Sequence, residues 1–200
     1  MPIAEQTGLI APLTDYVLDG VLRQLREWHD DGFVLPVAIN VSVRNFTDAG
    51  FVERVLSGLE RYAVDPALLQ LELTEGTLME EPSRTHQQLL RLQGHGVITS
   101  IDDFGTGYSS LAYLKKLPIS ALKIDRSFVR DLGMTPQSSA VVTAIIALAR
   151  SLGLRVIAEG VENLRQMEVL HRLGCGVMQG FLFSKPKPAD EIQAWLEGTV

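Results

Sequence analysis

Residues 69–103 read LQLELTEGTLMEEPSRTHQQLLRLQGHGVITSIDD and contain one strand–helix–strand unit. The runs at 69–75 and 97–103 are short and rich in aliphatic residues, which predicts two strands without a solvent-exposed face. Between them, residues 86–93 have apolar side chains at helical spacing and stop at Gly94, which predicts a helix. A helix between two apolar strands is the repeating unit of parallel sheets, so this stretch predicts an α/β fold.

The same alternation continues on both sides of this unit. Strands are predicted at 37–42, 69–75, 97–103, 121–125, 154–159 and 176–181, and helices at 9–28, 51–62, 86–93, 109–116, 138–152, 162–173 and 189–196. No Pro/Ser-rich linker interrupts the pattern, which predicts one domain over residues 1–200. Six strands leave two architectures open, because a (β/α)₈ barrel needs eight strands whereas a doubly wound open sheet can be built from six.

Composition excludes several classes of protein. The 200 residues carry 18 Lys+Arg and 24 Asp+Glu, a net charge of −6, which argues against a DNA or RNA polymer or an anionic membrane surface as partner. An apolar content of 46% fits a filled core, and no apolar run approaches the ~20 residues of a membrane span, so no membrane insertion is expected. A cytoplasmic globular protein is therefore predicted.

Each predicted strand ends close to a polar residue that a buried strand does not explain. These residues are Asn40, Glu72, Asp102, Lys123, Glu159 and Gln179, with Glu75, Asp103 and Asp125 beside them. Their spacing is about that of one βαβ unit, ~30 residues. The carboxyl ends of parallel strands meet at one edge, where active sites assemble, so the sequence predicts one polar pocket.

The residue types in this pocket favour a divalent metal site. Carboxylates and the Asn40 amide offer only oxygen ligands, which select Mg²⁺ or Mn²⁺, and the adjacent Asp102 and Asp103 allow one carboxylate to bridge two ions. Two such ions suit phosphodiester hydrolysis, in which Lys123 could orient water or neutralise the developing charge. Any one of these residues alone is better explained as a helix cap, a surface residue or an ion-pair partner; their recurrence favours the metal site.

The loop at 104–110, FGTGYSS, follows the two aspartates. Gly105 and Gly107 allow positive φ and a close approach of the backbone to a ligand. Two interpretations stay open: a tight turn into the next helix with Ser109 as its N-cap, and a mobile lid over the metal site.

Together, several motifs in one order resemble the EAL family of cyclic di-GMP phosphodiesterases. They are INVS at 39–42, ELTE at 72–75, IDDFGTGYSSL at 101–111, LKIDRSFV at 122–129, VIAEGVEN at 156–163 and QGFLFSKP at 179–186. The resemblance implies a modified TIM (β/α)₈-type barrel, incomplete here with about six of eight strands. It also implies that cyclic di-GMP is hydrolysed to linear pGpG with two Mg²⁺ or Mn²⁺ ions.

Roles for individual residues follow from the same resemblance. It implies that the metal ligands are Asn40, Glu72, Asp102, Asp103 and Glu159, with Asp102 in a bridging position and Glu159 also acting as general base. It places Lys123 near the hydrolytic water and gives Glu75 the task of positioning loop 104–110. It further implies that Gln179 and Pro186 contact the substrate and that Glu162 and Asp125 support the ligands.

One departure from the family is visible. The Glu-Ala-Leu motif, whose Glu binds metal, and the phosphate-binding Arg after it are absent from the 200 residues. A domain at 1–200 without its first two strands is therefore expected, with impaired hydrolysis. The alternatives are a non-catalytic cyclic di-GMP-binding module and a protein-interaction module. Open strand edges at 37–42 and 176–181 predict association, for example a homodimer. A sensor or cyclase domain is expected upstream in a longer parent protein.

Overall fold

Six parallel strands lie side by side in chain order in the computed structural model, which describes residues 2–107, 111–134 and 136–198. They are β1 (Val37–Val41), β2 (Leu69–Thr74), β3 (Ile98–Phe104), β4 (Ala121–Ile124), β5 (Arg155–Ala158) and β6 (Val177–Met178). All six predicted strands are confirmed. The last is shorter than predicted, because a turn with a Phe183 N–H to Gly180 carbonyl bond follows it.

The helices follow the strands as predicted, with additions. They are α1 (Pro2–Thr7), α2 (Ile10–Asp30), α3 (Val43–Thr47), α4 (Phe51–Tyr62), α5 (Glu75–Glu80), α6 (Pro82–Gly94), α7 (Leu111–Leu114), α8 (Arg126–Arg130), α9 (Pro136–Ser151), α10 (Leu164–Leu173) and α11 (Ala189–Glu197), with a 3₁₀ turn at Pro66–Leu68. Sequence periodicity missed α1, α3, α5 and α8. Each has only five or six residues, too few to show an apolar stripe.

Strand order decides between the two architectures that strand counting left open. A doubly wound sheet reverses direction at a switch point, whereas the order β1-β2-β3-β4-β5-β6 never reverses. Consecutive parallel neighbours are the arrangement of a (β/α) barrel. β1 and β6 form the two ends of the sheet, and in the part of the chain that the structure describes each pairs with one strand.

The core lies between the strands and their helices. Along β2, Leu69, Leu71 and Leu73 are fully buried, whereas Glu72 projects from the opposite face. One hydrophobic cluster extends from α2 to α10 and includes Cys175. The face that does not pack on the helices is therefore free to carry polar side chains. Among the described residues, no helix combines the length and the apolar character needed to cross a bilayer.

Candidate metal centre

The strand register places the predicted polar residues on the sheet face opposite the leucines of β2. Asn40 is in register with Glu72, and Glu72 is in register with Ser100, two residues before Asp102. Ser100 is in register with Ala121, two residues before Lys123. Because side chains alternate along a strand, the four polar residues share one face.

The same register extends to the last two strands. Lys123 is in register with Ile157, two residues before Glu159. Ile157 is in register with Val177, two residues before Gln179. The polar residues predicted from the six strand ends therefore lie along one edge and one face of the sheet.

Lys123 lies at the centre of this face. Its Nζ is 2.5 Å from Glu72 Oε2, 2.6 Å from Glu159 Oε1 and 3.2 Å from Asp102 Oδ1. The lysine side chain is 4% exposed and the three carboxylates are 11–19% exposed, so these ion pairs are largely shielded from water.

Burial and charge shift the pKa values of this cluster. Burial alone would lower the pKa of Lys123, but hydrogen bonds to Glu159 and Glu72 outweigh it and hold that pKa above its ordinary value. Burial raises the pKa of Glu159, although Lys123 opposes the shift. The lysine is therefore held as an ammonium among three acidic groups.

A β-bulge brings Asp102 and Asp103 together. Ile101 pairs with Leu122 and Phe104 pairs with Ile124, so β3 contains one residue more than β4 between these pairs. Asp103 takes φ +53°, and its N–H donates to Asp102 Oδ1 at 3.0 Å. A bulge re-aims side chains that would otherwise alternate across the sheet, so adjacent aspartates can serve one site.

Three carboxylates are close enough to hold a metal ion. Ligand oxygens of Asp102, Asp103 and Glu159 all lie within 4.8 Å of one another. Each offers a hard oxygen donor, and Lys123 shows that a positive charge is already accommodated at this place. The residues present therefore fit a divalent cation of the magnesium or manganese type.

Asp125 lies beside the cluster, at the start of α8. It caps this helix by accepting a hydrogen bond from the Ser127 N–H at 3.0 Å. Burial opposes ionisation of Asp125, but hydrogen bonds from Ser127 hold its pKa below the ordinary value. Burial and the charge of Asp102 raise the pKa of Asp103, which is hydrogen-bonded to Asp125. Of the two carboxyl groups, Asp103 is therefore the one that binds a proton more readily.

Glu75 positions the glycine-rich loop. Its carboxylate is buried and accepts hydrogen bonds from the Gly105 N–H at 3.2 Å and the Gly107 N–H at 3.1 Å. Residues 108–110 lie outside the described part of the chain, and with them the predicted N-cap Ser109 and the start of the predicted helix at 109–116. The choice between turn and lid therefore stays open.

A pocket of about 510 Å³ opens beside the carboxylates. It is lined by Asp103, Asp125, Arg126, Glu159, Gly160, Glu162, Gln179, Gly180 and Phe181. A second pocket of about 340 Å³ contains Pro186 and shares the segment 179–181 with the first. The predicted residues Glu162 and Gln179 thus line the pocket beside the carboxylates, and Pro186 lines the adjoining pocket. Asn40 is exposed and in register with Glu72, but it is not among the three residues whose ligand oxygens lie together.

Two features of the site were not predicted from sequence. Arg126 lines the larger pocket, and its only signal is its place directly after Asp125. An ion pair was one interpretation of Lys123, but its three partners were not predicted, because they lie on other strands.

Comparison with known proteins agrees with this geometry. A family model described as the EAL domain matches residues 1–186. The chain is 47% identical over 195 residues to the bifunctional diguanylate cyclase/cyclic di-GMP phosphodiesterase MucR of Pseudomonas aeruginosa. It is 44% identical over 195 residues to the cyclic di-GMP phosphodiesterase NbdA of the same species. Both alignments cover 97% of this chain but 28% and 25% of the relatives, so the chain spans about a quarter of their length.

Solved structures are similar over nearly the whole chain. A structure of the PaMucR phosphodiesterase in complex with c-di-GMP has a TM-score of 0.92 at 47% identity and covers 96% of this chain and 78% of that one. A complex of Klebsiella pneumoniae BlrP1 with calcium and cyclic di-GMP has a TM-score of 0.78 at 27% identity and covers 86% of this chain and 43% of that one.

Proposed function

The chain belongs to the EAL domain family, and we propose that it hydrolyses one phosphodiester bond of cyclic di-GMP to give linear pGpG. The observation that carries the proposal is the cluster of Asp102, Asp103 and Glu159, whose ligand oxygens lie within 4.8 Å of one another. The names of the relatives, which include cyclic di-GMP phosphodiesterase, support cyclic di-GMP as the substrate. The structure of the PaMucR phosphodiesterase in complex with c-di-GMP supports the same substrate.

Metal dependence is a property of EAL phosphodiesterases, and the acidic cluster supports it here. We propose two ions, Mg²⁺ or Mn²⁺, held by oxygen ligands from four strand ends. Asn40, Glu72, Asp102, Asp103 and Glu159 would hold these ions, and Asp102 is the residue that the family resemblance would place at both of them. When bound, such ions polarise the phosphate and lower the pKa of water.

The side chains around the ligands have separate tasks in this proposal. Glu159 accepts the proton of the attacking water, as a carboxylate placed within hydrogen-bond reach of that water can. Lys123 orients the water or stabilises negative charge that develops on the phosphate oxygens. Glu75 holds the loop that begins at Phe104, through the Gly105 and Gly107 N–H groups.

The two adjoining pockets are proposed to hold the substrate. Gln179 lines both of them and Pro186 lines the second, so these two residues contact the nucleotide. Asp125 supports Asp103 through their hydrogen bond. Glu162 lines the larger pocket, and its backbone N–H donates to Gln166 Oε1 at 2.7 Å.

The 200 residues are proposed to form one EAL-type domain that acts in the cytoplasm as part of a longer signalling protein with a sensor or cyclase domain. The relative MucR is named a bifunctional cyclase and phosphodiesterase, and its length supports this organisation. Because the Glu-Ala-Leu motif is not within these residues, hydrolysis by this chain alone is proposed to be impaired.

Product analysis tests the proposal. The chain is incubated with cyclic di-GMP and Mg²⁺ or Mn²⁺, and the nucleotides are separated by chromatography. We expect slow formation of pGpG and a loss of at least ~100-fold in Glu159→Gln, because removing a general base typically costs 10²–10⁴. Glu168→Gln, an exposed glutamate of α10, is the control and should keep the wild-type rate. An equal rate in the two variants would contradict the role of Glu159.

A second candidate is a module that binds cyclic di-GMP without cleaving it. The observation that favours it is the absence of the Glu-Ala-Leu motif within these 200 residues. Calorimetry with cyclic di-GMP in Ca²⁺ measures binding without relying on turnover, as the calcium complex of BlrP1 suggests. Binding in Ca²⁺ with no pGpG in Mg²⁺ or Mn²⁺ identifies this candidate. If neither binding nor pGpG formation is observed, the remaining alternative is a protein-interaction module.

A further inference from the structure

We propose that Lys123 is the internal counter-cation of the metal-free centre, and that a divalent ion has to compete with its ammonium for the same carboxylates. The inference rests on the proposed function only in assuming that a divalent ion binds at this centre. It assigns Lys123 a role before substrate arrives: the lysine holds the centre together when no ion is present and sets how tightly an ion can bind.

The geometry of the ion pairs carries this inference. Lys123 lies on β4, and its partners come from three other places in the sheet: Glu72 on β2, Asp102 on β3 and Glu159 directly after β5. Two of the three Nζ–oxygen distances are 2.6 Å or less. One ammonium on β4 therefore joins acidic groups from β2, β3 and the end of β5, at a place that is mostly shielded from water.

The charge balance explains why a cation is needed at this place. The three partners carry three negative charges against one positive charge, and Asp103 lies next to them. Like charges at this separation in a partly buried site repel one another strongly. Without the ammonium, the carboxylates would have to bind another cation, take up a proton or move apart.

Some of the carboxylates that contact Lys123 are also candidate ligands of the metal ion. Asp102 and Glu159 belong to the trio that is close enough to hold an ion, and both contact Lys123. An arriving ion therefore has to draw at least part of this carboxylate charge away from Nζ. By linkage, the part of the ammonium's contribution to the fold that is lost when the ion binds opposes ion binding to the same extent.

This competition makes two predictions of opposite sign for Lys123→Met. Removal of the ammonium should destabilise the metal-free protein, because it leaves three carboxylates without their cation. It should also tighten binding of Mn²⁺, because the ion no longer competes with a positive charge. A lysine that serves only to position the hydrolytic water would leave ion binding unchanged.

The experiment uses the full 200-residue chain without substrate. Thermal unfolding in EDTA and in Mn²⁺, and calorimetric titration with Mn²⁺, are compared for wild type, Lys123→Met and Lys116→Met. Lys116 is an exposed lysine, so its variant makes the same charge change away from the centre. For Lys123→Met we expect a Tm about 10 °C lower in EDTA, recovery of most of this loss in saturating Mn²⁺, and affinity at least about tenfold higher. Lys116→Met should match the wild type in all three readouts.

A charge-rescue variant separates the loss of charge from a loss of packing. Lys123→Met/Glu159→Gln removes one positive and one negative charge, so its Tm in EDTA should lie above that of Lys123→Met. The comparison remains informative if Lys123→Met does not fold in EDTA. If the loss of stability comes from unpaired carboxylate charge, the double variant should then still fold. A double variant no more stable than the single one would overturn the inference.

The outcomes distinguish this inference from the proposed function. Equal Mn²⁺ affinity in wild type and Lys123→Met would overturn the competition but leave the metal centre intact. If neither protein binds Mn²⁺, the metal centre fails, and the proposed hydrolytic mechanism fails with it.

Discussion

Asp103 shows how much of the site depends on the conformation of single residues. It is one of two non-glycine residues with positive φ in the described part of the chain, at +53°. Such a conformation is uncommon outside glycine, asparagine and aspartate, and at a bulge it serves to re-aim a side chain. The cost of this backbone geometry is offset by the hydrogen bonds that Asp103 makes with Asp102 and Asp125.

Glu75 has a similar importance for the loop after β3. The side chain of a residue at position 107 would lie against its carboxylate, since a Cβ there would be 3.0 Å from Glu75 Cδ and 3.2 Å from Oε2. Glycine at this position therefore lets the N–H of residue 107 approach Glu75 closely enough to donate a hydrogen bond.

Gly107→Ala should loosen this loop. The added methyl group pushes Glu75 away from the Gly105 and Gly107 N–H groups, and the loss of one such hydrogen bond costs about 1 kcal/mol. We expect faster amide hydrogen exchange at Gly105, measured by mass spectrometry, and slower formation of pGpG, measured by chromatography. Gly76→Ala is the control, because a Cβ at position 76 has no neighbour within 4 Å. Unchanged exchange at Gly105 in Gly107→Ala would contradict the role assigned to Glu75.

Elements are positioned by short turns that follow the strands. α3, α5 and α8 begin within two residues of the ends of β1, β2 and β4, and two of them are capped by side chains of Ser42 and Asp125. Each of these short helices contacts a longer one: α3 and α5 contact α6, and α8 contacts α9.

The segment after β6 is packed against the segment after β5, backbone to backbone. The Val161 N–H donates to the Gln179 carbonyl at 3.0 Å, and the Leu182 N–H donates to the Val161 carbonyl at 3.0 Å. A Cβ at Gly180 would lie 2.1 Å from the Val161 carbonyl oxygen. Only glycine fits between these two hydrogen bonds without moving one of the segments.

Gly180→Ala should therefore separate the two segments. We expect a free energy of unfolding about 2 kcal/mol lower, the size of a typical overpacking penalty, and weaker binding of cyclic di-GMP because Gln179 is displaced. Denaturant unfolding and calorimetry provide the measurements. Gly176→Ala lies just before β6 and meets no atom within 4 Å, so it should unfold like the wild type. A Gly180→Ala variant as stable as Gly176→Ala would show that the segments move apart without cost.

At the scale of the whole molecule, the sheet is part of the TIM-barrel-like fold of EAL domains but has two ends. β1 forms one of them, and α2, which packs on β1, presents an exposed apolar stripe. The stripe consists of Leu13, Tyr16 and Val17 of α2 and of Leu9, its N-cap, with Tyr16 as much as 79% exposed. An open parallel edge beside exposed apolar side chains is a surface on which another chain can associate.

A second copy of the chain is the expected partner for this surface. In sedimentation velocity, the wild-type chain should show an average mass that rises with protein concentration. Tyr16→Glu should shift it towards the monomer, because the charge makes burial of the stripe unfavourable. Gln87→Glu, at an exposed position of α6, is the control and should sediment like the wild type. A wild-type chain that remains monomeric at high concentration would refute this prediction.

Local pattern was enough to predict the repeating architecture and the class of site. The alternation of apolar strands with helices indicated a parallel α/β fold, and a polar residue near each strand end indicated an oxygen-ligand pocket. Both depend on residue type and on spacing within one βαβ unit, which the sequence states directly. The motifs that resemble the EAL family allowed roles to be suggested for individual residues.

Long-range register decided the rest. Glu72 and Lys123 are 51 residues apart along the chain, yet their side chains are hydrogen-bonded, and no local pattern encodes such a contact. The left-handed conformation of Asp103 also depends on a mismatch between β3 and β4. The sequence by itself determined which chemical groups reach the edge of the sheet. Only the tertiary structure decided which of them meet, because contacts between strands depend on how whole strands pair and not on neighbours in the chain.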